Sequence, residues 1–213
     1  LLSYQAIGKE VFFNADENYL TFLKTYAQYL LPLMDTYAYC LLPNHIQWLV
    51  KIKDEKEIFN YLKANFKIPE ESLRFEEYKN LSNSTSALVG NLFGLQINKQ
   101  ISALFKAYFE ELSQNEKNKQ KAFHPNMERK EIVGDEEFKQ ALISVHLSSE
   151  IKDAVEKFDT WKFSSYAAYL SEKPSSINRK IALDLFEGKE NFVLAHHQNK
   201  NIKVTALAES SLG

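Results

Sequence analysis

The sequence predicts an α+β domain: an antiparallel sheet backed by helices. Three observations carry this. Gly and Pro are scarce, at 6 and 5 in 213 residues, which argues against a many-turned all-β protein and for long helices. Aromatic residues reach 13%, with 15 Phe and 11 Tyr, a composition suited to sheet surfaces packed under helices. Short alternating or apolar runs also interleave with longer stretches at helical spacing.

The elements follow in order. Leu1–Ala6 reads as a short strand, with a turn at Gly8. Asp16 is an N-cap for a helix through about Leu31, because Leu20, Leu23, Tyr26, Ala27 and Leu30 recur at helical spacing. Pro32 ends it. Met34–Leu42 reads as a strand, Pro43-Asn44 as a turn, and His45–Ile52 as the strand returning antiparallel. Residues 53–80 are charged and helical in parts, broken at Pro69, and Leu81–Thr85 is a polar loop. Leu88–Leu112 carries an amphipathic pattern through Ile97, Ile101, Leu104, Phe105, Tyr108, Phe109 and Leu112. Ser113–Lys121 has almost nothing to bury and reads as a loop. Met127–Val133 returns as a strand, and Asp135 opens a helix to about Ser148. Trp161–Leu170 is aromatic and packs on the core; Pro174 starts a tail holding two short helices, Ser176–Phe186 and Lys189–Gln198. No internal repeat is visible.

Bulk numbers narrow the function. Hydrophobic residues make up 45% of the chain, enough for a real core, so disorder is not expected. The length suits one domain with an appendage, or two small ones. Cys40 stands alone in an apolar run, so no intramolecular disulfide forms, a reducing cytoplasm is expected, and the thiol reads as a small buried hydrophobe. No run approaches the roughly 20 apolar residues that span a bilayer. No secretory signal is visible, and the chain opens Leu1-Leu2 without Met, so its true start is left open. The net charge is −2 and the pI about 6.3, without the basic surplus of a dedicated DNA binder. Residues 99–130 do hold a local surplus. Lys99, Lys106, Lys117, Lys119, Lys121, Arg129 and Lys130 outnumber Glu110, Glu111, Glu116 and Glu128. This is either a phosphate-binding patch or a solvated helix end and loop.

The most informative stretch is Tyr37–Lys53, YAYCLLPNHIQWLVKIK. With Val11-Phe12-Phe13, Tyr19 and Phe22, then INKQISALFKAY at Ile97–Tyr108, then Arg129–Ile132, then Trp161–Tyr166 (WKFSSY), it resembles the REP-associated tyrosine transposases of the IS200-like, single-tyrosine HUH family. Five blocks in the right order span about residues 1–170, leaving 171–213 as a C-terminal helical extension. The resemblance implies a ferredoxin-like (split βαβ) HUH domain. It also implies cutting of single-stranded DNA by a tyrosine that forms a phosphotyrosine link, with a divalent metal, Mg or Mn, polarising the scissile phosphate. Two His at i, i+2 on one strand point the same way and hold that metal. A third ligand lies one helical turn after the tyrosine.

Carried over residue by residue, the first metal His is His45 and the second is Gln47. The family's tyrosine helix corresponds to Ala141–Ser149, ALISVHLSS. Aligned on His146, the tyrosine position is Ser144, the third-ligand position Ser148, and the following Pro is Ser149. Near Ser3-Tyr4-Gln5 the family's basic residue is missing. The resemblance therefore implies a cleavage-deficient member that needs no cofactor and whose partner is single-stranded or hairpin DNA; a homodimer is left open. Gln47 still offers a carbonyl oxygen to a hard cation. Ser144 lacks an activating base, since His146 at i+2 faces away from it on a helix.

Other candidates have plainer readings beside the functional ones. His45 alone is a polar residue satisfied near a turn. His124 is an exposed loop residue or a phosphate contact. His196-His197 diverge by about 100° on a helix, which argues against one shared metal. Tyr166 and Tyr169 are core before they are replacement nucleophiles. Trp48, Tyr37 and Tyr39 are sheet packing before they are a base-stacking platform. The rival function is a domesticated interaction module with no nucleic-acid role.

Overall fold

The computed structural model describes residues 1–6, 10–65, 86–115, 126–151 and 154–210. Among the described residues there are four strands: β1 (Leu2–Gln5), β2 (Met34–Leu42), β3 (His45–Ile52) and β4 (Asn126–Arg129). The helices are α1 (Asp16–Tyr29), α2 (Glu55–Asn65), α3 (Ser86–Asn115), α4 (Asp135–Ile151), α5 (Tyr166–Leu170), α6 (Arg179–Leu185) and α7 (Lys189–Ser210). A 3₁₀ turn spans Phe158–Thr160. The strands form one antiparallel sheet in the order β2-β3-β1-β4. Among the described residues, no helix is long and apolar enough to cross a membrane.

Two compact units result: Leu1–Asp16, Thr36–Lys51 and His124–Gly213 form one, Glu17–Asp35 and Ile52–Phe123 the other. In the second unit, Phe22 of α1 is fully buried and meets Tyr108 edge-on at 5.1 Å and Phe105 at 5.9 Å. Phe105 and Tyr108 are among the residues whose helical spacing marked α3. The Asp54 carboxylate accepts the Glu57 amide at 2.9 Å and caps α2.

The first unit carries the sheet register. Ser3 of β1 lies opposite Gln47 of β3 on one side and Glu128 of β4 on the other. Trp48 is 1% exposed and meets Tyr4 at 5.3 Å, so it serves packing. Burial among these rings pushes the Tyr4 phenol up to about 12.

The outer edge of β2 is sealed by the chain's own C-terminal segment. Leu41 N–H donates to the Phe163 carbonyl at 3.0 Å, and Ser165 N–H to the Tyr39 carbonyl at 2.9 Å. Asn178 N–H reaches the Thr36 carbonyl at 2.8 Å. Side chains complete the cover: Trp161 Nε1 donates to the Leu41 carbonyl at 2.8 Å and the Tyr169 hydroxyl to the Tyr37 carbonyl at 2.6 Å. Covered this way, β2 offers no open template for a foreign strand. Arg179 fixes the path of the segment by donating to the carbonyls of Ala168, Ser171 and Lys173. Tyr169→Phe removes a donor from a buried carbonyl while keeping the ring. It is expected to lower stability by about 1–2 kcal/mol, read as a shift in urea midpoint with unchanged m-value.

Several boundaries differ from those the sequence predicts. The fourth strand ends at Arg129 instead of Val133, because the Val133 amide turns to the Glu137 carboxylate at 2.8 Å and Gly134, at φ 79°, bends the chain into α4. Helix α3 runs through Ser113–Asn115, where a loop was expected. Its polar last turn continues the backbone ladder, and Ser113 donates to the Glu110 carbonyl at 2.9 Å. The first tail helix is shorter, Arg179–Leu185. It closes in a Schellman motif: Gly188 N–H reaches Leu183, Glu187 N–H reaches Asp184, and Glu187 takes φ 57°. The second tail helix runs on to Ser210. The expected turn at Gly8, the break at Pro69 and the loop Leu81–Thr85 lie outside the described residues.

Candidate functional site

Residues at i, i+2 on a strand share a face, so His45, Gln47 and Leu49 of β3 point the same way. Leu49 belongs to the core cluster that includes Ala141, Leu142 and Val145 of α4. The cluster also takes in the helix bearing Ser144 and Ser148, so that helix and Leu49 share one core. Ser3 joins the strand face from β1, with its Oγ 3.2 Å from His45 Nε2. His45 is 5% exposed. The Gln47 amide oxygen is enclosed and meets no hydrogen-bond donor among the described residues.

The helix side is already occupied. The Ser148 hydroxyl donates to the Val145 carbonyl at 2.7 Å, and Ser149 donates to the His146 carbonyl at 3.4 Å. The Cys40 thiol lies against both serines, fully buried. Burial pushes it up to about 11, only partly offset by the hydrogen bonds from Ser148 and Ser149. It is an inert small side chain, as its apolar run predicts. Ser144 is half-buried on the same helix.

These residues do not fit a divalent-metal site. They offer one imidazole, one carboxamide and one hydroxyl already committed to a backbone carbonyl. Mg²⁺ or Mn²⁺ calls for hard, preferably anionic oxygen. Among the described residues, no group of three or more His, Cys, Asp or Glu is placed to hold a metal.

No family model matches the sequence, and no curated protein does. A solved structure of a REP-associated tyrosine transposase bound to a REP hairpin aligns with 81% of this chain and 80% of its own, at 12% identity and a TM-score of 0.38. At that level the likeness is distant.

The basic candidates divide between the units. In the first, Lys130 pairs with Glu137 at 2.7 Å, and that ammonium, with the Val133 amide, holds the Glu137 carboxyl below its usual range. Arg129 is exposed on β4. In the second, Lys99 is exposed on α3, and Lys106 lies 3.9 Å from Glu110, both largely in solvent, where such a pair contributes little. Lys117, Lys119, Lys121 and His124 lie outside the described residues.

Sequence reasoning missed the most ordered polar feature of the first unit. His146 and His196, both 0% exposed, are hydrogen-bonded to each other: His146 Nδ1 is 2.9 Å from His196 Nε2. On one side His196 Nδ1 is 2.7 Å from the Phe192 carbonyl; on the other His146 Nε2 is 2.7 Å from Ser165 Oγ. The Tyr39 amide donates to that same Oγ at 2.9 Å. A carbonyl only accepts, which fixes every proton in the chain. His196 donates from Nδ1 to Phe192. Its Nε2 then accepts from His146 Nδ1–H, and His146 Nε2 accepts from the Ser165 hydroxyl. Burial lowers both histidines, His146 well below 6.5 and His196 to about 4, so both are neutral. The signal was present in the sequence: each histidine sits inside an apolar helical run, ISVHL and FVLAH.

Tyr166 and Tyr169 pack around this chain, with ring centroids 5.6 Å from His146. Both are buried, so the sequence reading of them as core holds.

Proposed function

We propose that this chain is a cleavage-deficient relative of the REP-associated tyrosine transposases, built on a ferredoxin-like HUH domain, whose partner is single-stranded or hairpin DNA in the cytoplasm. One observation supports this above others. His45 and Gln47, which the sequence resemblance assigns to two metal ligands, lie two residues apart on β3 beside β1, and the side chains at these positions and at Ser148 suit neither metal nor nucleophile. Ser144 supplies no phenol where the tyrosine would be. The chain order β1-α1-β2-β3-α2-α3-β4, with helices filling both crossovers, and the sheet order β2-β3-β1-β4 fit a split βαβ core.

The test is binding and cleavage of a labelled single-stranded hairpin with Mg²⁺ or Mn²⁺, beside a Gln47→His, Ser144→Tyr, Ser148→Asn triple variant. The expected result is affinity that falls with added salt, no covalent adduct from the natural chain, and an adduct from the variant. Absence of binding by either protein at low salt would sink the reading.

A second reading is an interaction module without a nucleic-acid role. The net charge of −2 and the pairing of Lys130 and Lys106 with glutamates favour it. Binding that survives high salt, or none at all, would support it over the first.

A further inference from the structure

The Ser165–His146–His196 chain does more than fill a core. It joins three separated parts of the first unit: the edge of β2 through the Tyr39 amide, the helix α4 through His146, and the C-terminal helix α7 through His196 and Phe192. Each link uses the only proton arrangement that the Phe192 carbonyl permits. An added proton on His196 would place an N–H at Nε2, facing the N–H on His146 Nδ1. The closed chain survives that only if His146 moves its proton to Nε2 and Ser165 turns its hydroxyl to the Tyr39 carbonyl, 3.3 Å away.

The surroundings oppose an imidazolium in place. His196 is packed by Phe158 from the 3₁₀ turn, Tyr166 from α5, Phe186 after α6, Phe192 from its own helix and His146 from α4. The titratable groups facing it are His146, Tyr166 and His197, and His197 also opposes its protonation. Burial, with Asp159 second, raises the Tyr166 phenol and leaves it neutral. A buried cation without a paired anion is expelled to water.

We propose that α7 is an acid-released latch: docking requires the neutral His146–His196 pair, and its release frees Ser165 and with it the cover over the β2 edge. Above the ordinary imidazole range the latch is closed. Below it, the undocked form binds a proton that the docked form refuses, so the open population rises by up to about tenfold per pH unit.

The experiment is amide hydrogen exchange on the full chain, followed at Tyr39 and Leu41 between pH 6.5 and 4.5 and corrected for intrinsic pH dependence. Protection at both amides is expected to fall at least about tenfold. In His196→Gln, whose amide can accept from His146 and donate to Phe192 but does not titrate, only His146 is left to take up a proton on release, and the loss is expected to be clearly smaller than in the natural chain. Equal loss in both proteins would overturn the latch. So would loss confined to α7 with Tyr39 and Leu41 still protected. Imidazole ¹⁵N spectra of the natural chain give a second readout should the variant fail to fold. Protonation of His196 together with the loss of protection supports the proposal. A shift of the His146 proton to Nε2 with protection retained overturns it.

Discussion

Phe192→Ala is expected to destabilise the first unit by about 3–5 kcal/mol, the cost of deleting a fully buried aromatic ring. Phe192 is 0% exposed. Its ring stacks on Tyr169 at 4.6 Å, meets Phe186 edge-on at 5.3 Å, and lies 4.2 Å from the His196 ring and 5.7 Å from Tyr166. One substitution therefore strips packing from α5, the end of α6 and the histidine pair together. The rigid backbone around it, including the Phe192 carbonyl that accepts from His196, limits collapse into the cavity. Urea unfolding read by signals from the first unit gives the number. A loss below about 1 kcal/mol would mean that α7 is not held by this core.

The second large effect is acid sensitivity. His196 has an ordinary value of 6.5 and is held at about 4 in the folded chain. Above 6.5 neither state carries a proton there, and the contribution to stability is complete. As pH falls from 6.5 to 4 the unfolded chain takes up the proton and the folded chain does not, so stability is lost across that window. At pH 4 the loss from His196 alone is about 3 kcal/mol. His146 is lowered further and adds to the loss in the same direction. Urea midpoints measured at pH 7, 5.5 and 4.5 should fall steadily in the natural chain and fall less in His196→Gln. A flat profile in the natural chain would contradict the burial of a neutral pair.

How much was legible in the sequence depended on the range of the forces involved. β2 and β3 run over Met34–Leu42 and His45–Ile52, the bounds the sequence predicts, because alternation and a Pro-Asn turn are local signals. Asp16 likewise begins α1. The end of β4 was not legible, since it depends on the Glu137 carboxylate drawing off the Val133 amide. The extent of α7 was not legible either, because Asn199-Lys200-Asn201 interrupts the apolar spacing read over Lys189–Gln198. At the candidate site, spacing alone gave the shared face of His45 and Gln47. It did not give the commitment of Ser148 to the Val145 carbonyl. The histidine pair is 50 residues apart, and nothing in either helix specifies the other; only tertiary packing turns two apolar-flanked histidines into one hydrogen-bonded unit.

The seal on β2 also has a consequence for synthesis. The Tyr37 carbonyl accepts from the Tyr169 hydroxyl and the Tyr39 amide donates to Ser165 Oγ, partners 132 and 126 residues later. A ribosome adding roughly 10 residues per second leaves that strand bare for on the order of ten seconds. During that interval the nascent chain presents an unprotected row of amides and carbonyls, the kind of strand edge that favours aggregation. A message truncated before the codon for Trp161 would yield a chain that never closes that row.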